Sequence, residues 1–268
     1  MIKMKQRILT GVIAAAIFLP IVIFGGLLFT ILSYILASVA IYELLRMKRI
    51  SLATFPGVVS LLLLWVLLLP NQYIHLLDNL NISKVELALL AVLLILSYTV
   101  ITKNKFTFDD VGFVILTALY IGIGFYYFIE TRGTTFEGLN YISYALIVIW
   151  STDSGAYFIG RAIGKRKLWP EISPNKTIEG SIGGIICALV IVIIFQFFVP
   201  MEESIVTLII FTVLLSIFGQ IGDLVESALK RHYAVKDSGH ILPGHGGILD
   251  RFDSLLFVLP ILHFLQLL

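Results

Sequence analysis

Among the acidic residues inside or at the edge of long apolar runs are Asp153, Asp223, Glu226, Asp250 and Asp253. An ionised carboxylate in hydrocarbon is costly and persists only when paired, hydrated or metal-bound. Their spacing sharpens the chemistry. Asp223, Glu226, Ser227 and Lys230 fall at i, i+3, i+4 and i+7, one stripe of a helix, and Asp250 and Asp253 at i and i+3 also face one way. Two helices so arranged present facing oxygen ligands to a hard cation, and Mg²⁺ recruits one or two carboxylates together with phosphate oxygens and water. Asp223 and Asp250 are the primary candidate ligands. Glu226 either pairs with Lys230 at i+4 or joins the chemistry.

Two polar loops flank these acids. One reads Lys236-Asp237-Ser238-Gly239-His240-Ile241-Leu242-Pro243-Gly244-His245-Gly246-Gly247. Its glycines permit positive φ and close approach of backbone N–H groups to an anion, although such a turn also serves as a plain connector. His245 either makes a structural hydrogen bond or meets a substrate phosphate. The other loop holds Ser173-Pro174-Asn175-Lys176-Thr177 and then Glu179-Gly180-Ser181 at the start of an apolar run. Polar donors before a helix N-terminus make an anion site. Lys165-Arg166-Lys167 reads as a topogenic or anionic-lipid-facing cluster, with substrate contact as the alternative.

The elements that must position these groups are membrane helices. The chain has 268 residues, of which 59% are hydrophobic and 13% charged, and its mean hydropathy is +1.00. Soluble domains carry about 25% charged residues, so a water-facing surface is excluded, as are disorder, a collagenous fibre and a disulfide scaffold. Cys187 is the one cysteine and reads as a small buried or lipid-facing residue. Apolar runs at 8–24, 27–45, 52–69, 85–101, 111–129, 139–160, 181–199, 204–229 and 251–268 predict an all-α, polytopic bundle of about nine transmembrane helices. Gly25-Gly26 predicts a tight hairpin between the first two. The basic start resembles a signal peptide, but the runs that follow favour an uncleaved first helix. No internal repeat of the kind many secondary transporters carry is evident.

With the N-terminus cytoplasmic, seventeen of the nineteen Lys and Arg residues fall on inner segments, and only Lys84 and Arg132 fall outside. The outer loops carry Asp78, Glu130, Glu137, Glu202 and Glu203. Asp153 precedes Arg161 by eight residues and Asp223 precedes Lys230 by seven, which puts both acids about 10–12 Å below the inner helix ends. A single membrane domain is expected over 1–268, with 1–135 as scaffold and 136–268 carrying the catalytic helices and loops.

Ser227-Ala228-Leu229-Lys230-Arg231, then Lys236-Asp237, then Pro243-Gly244-His245-Gly246-Gly247-Ile248-Leu249-Asp250-Arg251-Phe252-Asp253 resembles the signature of phosphatidate cytidylyltransferases, or CDP-diacylglycerol synthases. The segments Asp153–Tyr157 and Ser173–Thr177 resemble that family too. The resemblance implies an inner-membrane enzyme that makes CDP-diacylglycerol and pyrophosphate from CTP and phosphatidate, facing the cytoplasm, with no nucleic-acid partner. It also implies Mg²⁺ at Asp223 and Asp250, with K⁺ as a second cation, and a homodimer.

The reacting centre is then Asp223, Asp250, Lys230 and Arg231. Asp153, Ser154, Asn175, Lys176, Thr177, Ser227, Lys236, Asp237, His245, Gly246, Gly247, Arg251 and Asp253 are expected to contact substrate. Lys176, Lys230, Arg231, Lys236 and Arg251 would hold phosphates. The nearest rival is a CTP-dependent lipid kinase, which must activate a neutral hydroxyl and so needs Asp253, Asp237 or Asp153 as base. A CDP-alcohol phosphotransferase would need four closely spaced Asp residues on adjacent turns, a run this sequence lacks. A transporter or channel explains Asp153 and Asp223 as a cation path, but not the basic, glycine-bearing loops.

Overall fold

The computed structural model describes residues 4–79 and 81–265, except the side chains of Met4, Lys5, Arg7, Ile8, Leu76 and Asp78. Lys3, the side chains of Lys5, Arg7 and Asp78 used above for orientation, and the last three residues of the ninth apolar run lie outside the described residues. In chain order the helices are α1 (Met4–Phe24), α2 (Gly26–Met47), α3 (Phe55–Leu67), the single turn α4 (His75–Asp78), α5 (Lys84–Ile101) and α6 (Phe108–Arg132). They continue with α7 (Phe136–Ile163), α8 (Ile178–Phe198), α9 (Ile205–His232) and α10 (Leu249–Phe264). Among the described residues, each apolar run falls on a helix. Six of these helices, α2 and α5–α9, are long and apolar enough to cross a membrane; α3 and the apolar part of α1 are shorter, and α10 has 16 residues. The protein is a polytopic helical membrane protein.

Local sequence sets the ends of these helices. Gly25 and Gly26 take φ of 64° and 62°, which breaks the chain between α1 and α2 at residues without a Cβ. Ser83 and Glu86 form a reciprocal capping box on α5, and Thr135, Thr177 and Ser204 each accept a backbone N–H of the first turn of α7, α8 and α9. Beyond α9, Val235 N–H donates to Lys230 O and Ala234, at φ 53°, donates to Arg231 O. This is a Schellman ending with alanine where glycine is usual.

The bundle is helical as expected, and one loop adds a short ribbon. The loop after α7 folds as an antiparallel hairpin, β1 (Lys167–Trp169) with β2 (Ser173–Thr177), paired Lys167 to Thr177 and Trp169 to Ser173. Strands this short carry no readable alternation, and Pro174 is tolerated because a two-stranded ribbon leaves every strand an edge.

Two compact units can be described. The first comprises Met1–Glu130 and Ser238–Leu249. Its core is aromatic and aliphatic: Phe29, Ile41, Leu44, Leu64, Ile95, Ile121, Phe125 and Phe128 are fully buried, and the rings of Phe29 and Phe128 lie 4.7 Å apart. The second comprises Thr131–Asp237 and Asp250–Leu268. Here hydroxyls bridge helices inside the core, Tyr144 to Thr212 at 2.9 Å and Thr152 to Ser216 at 2.8 Å, so that α7 and α9 are held by satisfied buried polar pairs.

Within the second unit, α7 and α8 meet along a seam of small residues. A Cβ on Gly184 would stand 2.5 Å from the Thr152 carbonyl oxygen, and one on Gly155 would stand 2.6 Å from Cys187 Cβ. Such close backbone approach is how apolar helices associate where lipid offers no hydrophobic drive. Gly184→Ala is therefore expected to lower the thermal unfolding midpoint in detergent, at a cost of about 1–3 kcal/mol typical of overpacking. Gly112→Ala in α6, where nothing lies within 4 Å of the new Cβ, should be neutral or gain about 0.5–1 kcal/mol. Equal midpoints for the two variants would show that the seam tolerates a wider separation.

Candidate active site

The second unit holds a cavity of about 390 Å³, within the usual range for small-molecule sites, walled by α7, the hairpin, the start of α8, and α9. From α7 come Asp153, Tyr157 and Arg161, spaced four residues apart and so on one face. Arg161 Nη1 donates to Tyr157 Oη at 3.4 Å. The hairpin contributes Asn175, Lys176 and Thr177, and α9 contributes Gln220 and Asp223. Lys176 Nζ forms an ion pair with Asp223 at a site both side chains share with solvent, each being about 30% exposed. Ser227 Oγ donates to Asp223 Oδ1 at 3.4 Å, one turn along α9.

A second charged group lies deeper in the same unit. Lys230 reaches Asp250 Oδ1 at 2.7 Å and also pairs with Glu226. The Glu226 and Asp250 side chains are 1% and 5% exposed. The i+4 pairing of Glu226 with Lys230 expected from sequence is thus present, and it is buried. The stripe on α9 divides into two: Asp223 with Ser227 and Lys176, and Glu226 with Lys230 and Asp250.

Asp223 is also the electrostatic neighbour of Asp153 on α7 and Asp253 on α10, and Arg251 acts on Asp153. Gly222 explains how α10 comes so near: a Cβ there would stand 2.7 Å from Asp253 O. Three carboxylates from three helices therefore share one field, offset by Lys176 and Arg251.

The remaining expected residues are placed as follows. Thr177 is buried, and its hydroxyl accepts Gly180 N–H as the α8 cap. Arg231 Nε donates to Ile172 O at 3.2 Å, which ties the hairpin turn to α9. Ser154 is exposed on α7 outside the cavity wall, Lys236 is exposed after α9, and Asp237 is half-buried. His245, Gly246 and Gly247 belong to the first unit, in a turn where His245 N–H donates to Leu242 O. Pro243 followed by Gly244 at φ 82° is the pattern of a type II turn. Gly247 packs tightly: a Cβ would stand 2.3 Å from Ser238 Oγ. Sequence reasoning meets Tyr157 only inside the family-like segment and Arg161 only as a depth marker, and makes neither a site residue, although the four-residue spacing from Asp153 could have marked both. It also passes over Glu43, an acid inside the second apolar run.

A hard cation suits this donor set in one form only. No group of three or more His, Cys, Asp or Glu side chains among the described residues is placed to hold an ion by itself. Asp153 and Asp223 instead offer oxygen donors on the wall of an open cavity, with Asp253 in the same field. That fits Mg²⁺, which takes one or two carboxylates and completes its shell with water and phosphate.

An apolar helical bundle with a cavity of carboxylates, lysine and arginine defines an integral membrane protein equipped for phosphate chemistry. The chain belongs to the cytidylyltransferase family, whose model matches residues 5–268. It is 63% identical over 265 residues to a phosphatidate cytidylyltransferase of Bacillus subtilis strain 168, covering 99% of this chain and 98% of that protein. It is 52% identical over 263 residues to a phosphatidate cytidylyltransferase of Staphylococcus haemolyticus strain JCSC1435, covering 98% of each chain.

Proposed function

We propose that this protein is an enzyme that joins CTP and phosphatidate to give CDP-diacylglycerol and pyrophosphate. The observation that carries the reading is the cavity in which Asp223 pairs with Lys176, with Asp153 and Arg161 on its wall; the relatives supply the identity of nucleotide and lipid. A phosphatidate oxygen forms the new bond to the α-phosphorus, and the bond from that phosphorus to the bridging oxygen of pyrophosphate breaks. The lipid phosphomonoester has a second pKa of about 6, so its oxygen is already deprotonated near neutral pH and no strong general base is required.

The obstacle is repulsion between a dianion and a polyanion. Lys176 and Arg161 on the cavity wall, together with Arg251, would hold phosphate oxygens, and Lys230 would keep α9 and α10 together through Asp250. Mg²⁺ held by Asp223 and its carboxylate neighbours would screen charge on the triphosphate and stabilise departing pyrophosphate. The metal set expected from sequence pairs Asp223 with Asp250. The separate cationic partners of those two residues favour Asp153 and Asp253 as the nearer company of Asp223.

The family resemblance supports K⁺ as a second cation and a homodimer. The distribution of basic residues supports nine crossings with the N-terminus inside, and the apolar runs along the whole chain support one membrane domain. That arrangement opens the cavity to the cytoplasm, where CTP is dissolved, at the inner leaflet that carries the lipid phosphate.

Purified protein in phosphatidate-containing nanodiscs is expected to transfer label from α-phosphate-labelled CTP into lipid, with Mg²⁺ and not with EDTA. Label entering lipid only from the γ-phosphate would replace this reading with a lipid kinase. Ion flux without any conversion of lipid would replace it with a transporter.

A further inference from the structure

Glu43 lies on α2 in the first unit and is 1% exposed. Its carboxyl gathers both ends of the segment Ser238–Leu249. Oε1 accepts Ile248 N–H at 3.0 Å, and Oε2 accepts Leu249 N–H at 2.9 Å and Ser238 Oγ–H at 3.2 Å. The first N–H groups of a helix have no partner within it, and α10 begins at Leu249. Such N–H groups are normally met by a neighbouring side chain in sequence; here the acceptor comes from a residue 206 positions away. The carboxyl also complements the positive end of the helix dipole.

The packing around it is equally specific. A Cβ on Gly239 would stand 2.2 Å from Glu43 Oε1, and a Cβ on Gly247 would stand 2.4 Å from the same atom. Two glycines whose pattern suggests anion binding are thus required by a buried carboxyl of this chain. Glu43 lines no part of the cavity.

We infer that Glu43 is a positioning residue: its carboxyl closes the loop Ser238–Leu249 and fixes the start of α10, so that the next residue, Asp250, leaves the loop in one orientation. The inference rests on the proposed role of Asp250, whose pairing with Lys230 holds α10 to α9 beside the active site. Glu43→Gln keeps the volume but supplies one acceptor oxygen and turns an NH₂ toward backbone donors. In the full-length protein in nanodiscs, E43Q should speed amide exchange across residues 238–252 by about 10-fold, as lost hydrogen bonds to buried N–H groups allow. Exchange in α7 and α8 should not change. The kcat should fall about 10²-fold, as for a small misplacement caused from outside the reacting centre, with KM for CTP changing far less. Glu43→Asp, which keeps the charge one methylene short, should fall between parent and E43Q in both readouts.

Unchanged exchange across 238–252, or faster exchange with kcat retained, would overturn the inference. Should E43Q not insert, Ser238→Ala deletes one donor and leaves the carboxyl: faster exchange with a severalfold lower kcat supports the inference, and no change in either overturns it. The exchange readout needs no activity. A parent that makes no CDP-diacylglycerol therefore removes the proposed reaction, while the loop closure is still judged by exchange.

Discussion

Asp223→Asn is expected to lower CDP-diacylglycerol formation by about 10²–10³-fold at saturating CTP, the range for loss of one preorganised electrostatic group. The folded protein should be nearly as stable as the parent. Two observations fix the sign on stability. The Lys176–Asp223 pair is about 30% exposed on both sides, and ion pairs so open to solvent contribute only about 0–1 kcal/mol. Asp223 also stands in the field of two further carboxylates, Asp153 and Asp253, so neutralising it relieves repulsion while it removes an attraction. The loss is therefore kinetic. The same variant should lose any rise in unfolding midpoint that Mg²⁺ confers on the parent, because ligand stabilisation follows affinity for the native state. Turnover within a few fold of the parent, with the Mg²⁺ response intact, would remove Asp223 from the metal and from the reaction.

The acids were legible in the sequence for a physical reason: a carboxylate in an apolar run must be answered by something, so Asp153, Asp223 and Asp250 announce a site before any fold is known. Their partners were not legible. Lys176 meets Asp223 across 47 residues, and no periodicity links a hairpin to a helix. The i+4 rule placed Glu226 beside Lys230 but could not show that Asp250 completes the group.

The helices were read to within a few residues because lipid demands long apolar runs, whereas β1 and β2 answer to backbone pairing in a polar loop and leave no such trace. Glu43 is the instructive miss. It stands inside the run 27–45, so the rule that marked Asp153 applied to it too, yet Arg46 and Lys48 nearby make it look like an interfacial acid. Its answer lies in backbone N–H groups at Ile248 and Leu249, donors that every residue except proline carries and that sequence cannot single out.

Lys230→Met should lose both activity and stability, in contrast to Asp223→Asn, because the same kind of ion pair is buried here. Lys230 stands between Glu226 and Asp250, whose side chains are 1% and 5% exposed. Removing one partner of a buried pair costs about 3–5 kcal/mol, since the remaining charge stays out of water; here two carboxyls lose their shared cation. The unfolding midpoint should drop sharply, and product formation should fall by about 10³-fold if the cation also steadies charge in the transition state. A second substitution separates the two roles. Glu226→Gln in the Lys230→Met background removes one of the stranded charges and should restore much of the stability. It supplies no cation, so turnover should stay low. Recovery of turnover together with the midpoint would show that Lys230 serves only to balance the carboxyls. Recovery of the midpoint alone assigns it to the reaction, through its hold on Asp250 at 2.7 Å.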